Sequence, residues 1–118
     1  MTPLKRIIIF VADVEKCANF YKKNFGLQPI EEGHQTGEWR ELETGGSILA
    51  FHKAHGAAGP TGSEKNPHKL VFGVENIKKA REEFIADGID MGNLMTFGNI
   101  VFCDGKDSEG YPFQISNR

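Results

Sequence analysis

A chain of 118 residues has the size of one compact domain, and 39% hydrophobic with 25% charged residues is an ordinary globular balance, which excludes a disordered or fibrous chain. A formal charge of -2 with both signs interspersed excludes the broad positive field that nucleic acid or an anionic lipid surface needs. The apolar run 7–12 is far shorter than the roughly 20 residues that span a bilayer, and no cleavable signal pattern precedes it, so the expectation is a cytoplasmic protein without nucleic-acid or membrane partners.

Residues 5–11 are a β-branched-rich apolar run followed by Asp13, whose carboxylate can accept from the first free amides of a helix. A strand therefore feeds a helix. Cys17, Ala18, Phe20, Tyr21 and Phe25 recur at spacings near three and four, and Gly26 can take the positive φ of a helix end, which predicts a helix over 14–25. Strand-like runs follow at 27–32, 38–43 and 47–53, the last two joined by the Gly45-Gly46 hairpin signal. Residues 55–67 are rich in Gly, Ala, Pro and Ser and suit a connector. After it, 69–74 reads as a strand and Asn76 as a cap, with a helical stripe of Ile77, Ala80, Phe84 and Ile85 ending at Gly88. Further strands are predicted at 89–91, 99–103 and 112–116, with a turn at 104–110.

Val11-Ala-Asp-Val-Glu-Lys-Cys-Ala and Val74-Glu-Asn-Ile-Lys-Lys-Ala-Arg superpose at an offset of 63, so the chain reads as one β-α-β-β-β unit used twice. The expected fold is α+β, a single domain over 1–118 with module one at 1–54, a linker at 55–67 and module two at 68–118.

Several stretches together resemble the vicinal oxygen chelate superfamily, which includes glyoxalases, bleomycin-resistance proteins and extradiol dioxygenases. They are Ile9-Phe-Val-Ala-Asp-Val, Phe20-Tyr-Lys-Lys-Asn-Phe-Gly-Leu27, Gly45-Gly46-Ser-Ile-Leu49, Phe72-Gly-Val-Glu-Asn76 and Asp107-Ser-Glu-Gly-Tyr-Pro-Phe-Gln114. The resemblance implies paired βαβββ modules forming a curved mixed sheet around a cavity, a homodimer, and a small-molecule ligand. Catalytic relatives hold a divalent metal with one side chain from each of four strands, and by resemblance those places fall here on Arg6, Leu49, Lys69 and Gln114.

Arg6 and Lys69 are cations without a lone pair to give and Leu49 has no donor atom, so no metal and no cofactor are expected. His34 and His55 lie in glycine-rich sequence, His52 has the opposite strand parity to Leu49, and His68 would replace Lys69 only after a one-residue slip. Solvated loop or strand-end positions suit them. Arg6 and Lys69 share the repeat offset and, with Gln114, could grip an anion, while Leu49 and Phe51 would line the pocket. The competing reading has both cations at strand ends, paired with surface acids such as Glu41 or Glu43.

Cys17 and Cys103 make a poor disulfide framework and suit buried positions. No Gly-x-Gly-x-x-Gly, phosphate-loop lysine or Gly-x-Ser-x-Gly pattern occurs, and the pairs Glu31-Glu32 and Asp104 with Asp107 receive no acid–base role. Three functions stay open. The first is a metal-free binding protein of sequestration or resistance type. The second is a metal-dependent lyase, isomerase or dioxygenase using His52 or His68, and the third an interaction module whose cavity is plugged by Leu49 and Phe51.

Overall fold

The computed structural model describes residues 1–55 and 67–118, so most of the expected connector lies outside the described residues. The chain divides into two compact units, Met1–Pro60 and Thr61–Arg118.

In the first unit, β1 (Arg6–Val11) leads into α1 (Val14–Phe25), followed by β2 (Gln28–Gln35), β3 (Trp39–Glu43) and β4 (Ile48–Lys53). Asp13 caps α1 by accepting from the Lys16 amide at 3.1 Å, and Gly26 closes it at φ 67 with its amide on the Lys22 carbonyl. The sheet order is β1-β4-β3-β2, with β1 parallel to β4 and the other neighbours antiparallel. Tyr21 of α1 stacks on Phe51 of β4 at 5.6 Å. Side chains alternate along a strand, so Phe51 and its same-parity neighbour Leu49 both face α1, and with Val14, Cys17 and Leu42 they form the core.

The second unit repeats the plan: β5 (Leu70–Gly73), α2 (Ile77–Ala86), β6 (Met95–Phe97), β7 (Ile100–Lys106) and β8 (Pro112–Ser116), in the order β5-β8-β7-β6. Asn76 caps α2 through the Lys79 amide at 3.0 Å. Phe84 of α2 meets Phe113 of β8 edge to face at 6.2 Å, and Ile115 and Cys103 complete this core.

Four boundaries differ from the sequence reading. β2 runs on to Gln35 and takes His34 out of the loop. Residues 89–91 are not a strand, because the Ile89 amide is still tied to the Phe84 carbonyl and Met91 makes one isolated bridge, to Gly105. The strand in that region is β6, joined to β7 by the Gly98-Asn99 turn with Gly98 at φ 60. Finally, β7 continues through Asp104 to Lys106, since the Asp107 carboxylate draws in the amides of Glu109 and Tyr111 and confines the turn to the residues after it. Among the described residues no helix is long and apolar enough to cross a membrane.

Candidate functional site

Each sheet carries its helix on one face. The other face of the first sheet presents alternate residues in register: Arg6 beside Ile48 and Glu43, Ile8 beside Ala50 and Glu41, Phe10 beside His52 and Trp39. Arg6 sends Nε and Nη2 to Glu41 Oε2 at 3.3 and 3.2 Å, while the Trp39 indole Nε1 donates to Glu41 Oε1 at 2.8 Å. Both carboxylate oxygens are thus engaged, and the Glu41 side chain is only 12% exposed. Beside this network the ring of His52 lies 5.4 Å from Phe10 and 5.5 Å from Trp39, a short aromatic row along the sheet.

The second sheet repeats the motif with different residues. Lys69 Nζ donates to Asp104 Oδ2 at 3.1 Å and Gln114 Nε2 donates to Asp104 Oδ1 at 2.9 Å. A carboxylate only accepts, so the amide nitrogen is the end of Gln114 that must face Asp104. Lys69 and Arg6 are 63 positions apart, and so are Asp104 and Glu41. In each unit the cation and its acid are separated by 35 residues. Each acid bridges one cation and one neutral N–H donor.

The structure therefore brings Lys69 and Gln114 together through Asp104 and places Arg6 on Glu41. Leu49 and Phe51 stand elsewhere: at 3% and 0% exposure they are core side chains under α1, not lining of the helix-free face. Register explains the difference. Val71 pairs with Gln114 and its counterpart Ile8 pairs with Ala50, so the first-unit equivalent of Gln114 is Ala50. Run 48–51 is apolar on both faces, and a one-residue slip moves every side chain across the sheet.

The residues at these places do not suit a divalent metal. Arg6 and Lys69 cannot donate, Ala50 is as inert as Leu49, and among the described residues no three His, Cys, Asp or Glu side chains gather closely enough to hold an ion. Two histidines expected in solvent are paired: His34 Nε2 lies 2.9 Å from Glu15 Oε1, and His55 Nε2 lies 3.1 Å from Glu38 Oε2. The His34 hydrogen bond, helped by the Gly37 amide and opposed by partial burial, holds the Glu15 carboxyl below its ordinary range. Asp104, read from sequence as a solvated turn residue, is the centre of the second network. The sequence signal for it is the repeat offset of 63 that separates Asp104 from Glu41 as it separates Lys69 from Arg6.

The sequence model of the Glyoxalase/Bleomycin resistance protein/Dioxygenase superfamily matches residues 4–115. No curated protein matches the chain. Among solved structures, a glyoxalase/bleomycin resistance protein/dioxygenase family enzyme from Burkholderia phytofirmans PsJN is similar at 23% identity and TM-score 0.80, covering 98% of each chain. A lactoylglutathione lyase from Agrobacterium tumefaciens aligns at 14% identity and TM-score 0.77 over 98% of this chain and 93% of that one. The oxidase ChaP-H2 aligns at 18% identity and TM-score 0.76 over 100% and 94%. At these identities the likeness carries the fold alone.

Proposed function

Because the chain belongs to the Glyoxalase/Bleomycin resistance protein/Dioxygenase superfamily, we propose that it works as a binding protein for a small organic molecule, held on the helix-free sheet faces without a metal centre. The observation that supports this is the residue set at the family's ligand positions. Two cations tied to carboxylates, an alanine and a glutamine offer polar contacts for an organic ligand and almost nothing for an ion. Arg6, Lys69 and Gln114 supply those contacts, and Leu49 and Phe51 support the first sheet from behind. The role is sequestration, of the kind that lowers the free concentration of a harmful compound in the cytoplasm. Homodimerisation belongs to the same proposal, supported by exposed apolar side chains at Ile8, Phe10, Val71 and Phe97.

The experiment joins two measurements on the full chain. Protein expressed in medium supplemented with zinc, nickel, iron and manganese is purified for elemental analysis, with light scattering on the same sample, and then screened by thermal shift against small organic compounds. The expected outcome is no stoichiometric metal, a dimer, and a melting temperature raised by at least one compound, the rise following ligand concentration. A tightly held metal lost on His52→Ala would favour the lyase, isomerase or dioxygenase reading instead.

A further inference from the structure

We infer that His52 is the hydrogen-bonding anchor of the first sheet's helix-free face, and that the ligand it takes is an aromatic compound carrying a hydroxyl group, its ring laid on Phe10 and Trp39. This rests on the binding reading above and names the ligand's chemical class.

Strands β1, β3 and β4 place several polar side chains on this face, and His52 is the one among them that bonds to nothing in the described chain. Arg6 and the Trp39 indole both donate to Glu41. Glu43, which is exposed, accepts from the Gly45 amide through Oε1 at 2.8 Å. His52 sits in register between Phe10 and Trp39, with its ring beside both of theirs, and makes no hydrogen bond to any described residue. It is half-buried, yet the buried side-chain nitrogen or oxygen found without a partner among the described residues is Ser108 Oγ alone. The His52 ring nitrogens are therefore open to solvent, where a ligand can reach them.

A histidine held in this way favours a particular group. Neutral imidazole carries one N–H donor and one lone-pair acceptor, and a hydroxyl can both donate and accept, so it satisfies whichever nitrogen it meets. A methyl group in its place satisfies neither. Phe10 is 50% exposed and Trp39 is half-buried, so both rings offer apolar surface beside those nitrogens. A flat ring bearing a hydroxyl uses the two features together. The repeat does not duplicate them: Gly73 and Ser116 stand in the second sheet where Phe10 and His52 stand in the first, and the buried Ser116 accepts from the Arg118 amide at 3.2 Å.

The test uses 2-naphthol and 2-methylnaphthalene, one ring frame with a hydroxyl or a methyl group at the same position, in equilibrium dialysis against the full chain. His52→Phe keeps a ring between Phe10 and Trp39 and removes both nitrogens. It should weaken 2-naphthol about fivefold, the scale of one hydrogen bond, and leave 2-methylnaphthalene within about twofold. In the wild type, the imidazole nitrogen resonances of His52 should shift further with 2-naphthol than with 2-methylnaphthalene. That measurement carries the test if His52→Phe does not fold by circular dichroism. A folded variant that loses both probes alike, or neither, overturns the inference, as do His52 resonances that 2-naphthol leaves in place. A wild type that binds neither probe overturns it as well, whereas the binding reading falls only if the thermal-shift screen also finds no ligand.

Discussion

Gly105 shows how a single missing methyl group can decide a core. It lies on the helix-facing side of β7, and a Cβ built there would stand 2.5 Å from the Met91 sulfur and 2.6 Å from Cζ of Phe113. Met91 has rotamers to yield with, whereas the Phe113 ring is fully buried and packed on Phe84. Gly105→Ala should therefore destabilise by about 1–3 kcal/mol, the range for overpacking a filled core, read from urea denaturation with m unchanged. Gly→Ala at Gly46, where nothing lies within 4 Å, is the matched control. The same residue-level view separates Leu49 from Ala50. An apolar run with Ile48 and Ala50 on one face and Leu49 and Phe51 on the other has no phase legible in the sequence, and the structure puts Leu49 and Phe51 under α1, on the face opposite Arg6. Arg6, Lys69 and Gln114 carry polar side chains, which gives the phase that the apolar run lacks: they meet Glu41 and Asp104 on the helix-free faces.

Helix α1 is tied to the first sheet by more than its apolar stripe. Glu15, in its first turn, accepts from His34 of β2 at 2.9 Å and from the Gly37 amide at 3.1 Å, joining helix, strand and turn at one carboxylate. Its folded-state pKa is depressed, chiefly by the His34 hydrogen bond. Its contribution to stability is therefore complete above the ordinary carboxylate range and is lost as pH falls through the folded value. Glu15→Gln should cost about 0.5 kcal/mol near neutrality, the size of a partly exposed pair, and cost progressively less as pH falls into the acid range. Chemical denaturation of both proteins across pH checks this, and a difference that grows on acidification would contradict it. Both helices were legible in sequence, since their caps and periodicity are local: Val14–Phe25 was placed to the residue. The shortest strand was not. β6 spans three residues, all exposed, and gives no alternation to read; only the Gly98-Asn99 turn betrays it.

At the scale of the whole molecule, the duplication is the organising fact, and the two caps allow its energetics to be compared. Asp13 and Asn76 occupy the same place, accepting from the amide three residues on at 3.1 and 3.0 Å. Asp13→Ala and Asn76→Ala should each cost about 1 kcal/mol by thermal or urea unfolding. Markedly unequal costs would mean that the repeats share a form without sharing its stability. The repeat was visible in the sequence because strand–helix junctions have a signature; Glu41 was legible as an acid partner for a strand-end cation, as the Arg6 contact bears out, whereas Asp104 was not, because nothing local to it distinguishes a bridging carboxylate from a solvated one. The strand orders β1-β4-β3-β2 and β5-β8-β7-β6 have a further bearing on how the protein is made. In each unit the strand translated last takes an interior place, between the first strand and its antiparallel neighbour. β1 has no hydrogen-bonded neighbour until β4 leaves the ribosome, and β5 none until Pro112–Ser116 emerges. The early strands and helices must wait unpaired through synthesis, and a nascent chain stalled a few residues short of β8 would present the apolar edge of β5 to whatever chaperone or neighbour reaches it first.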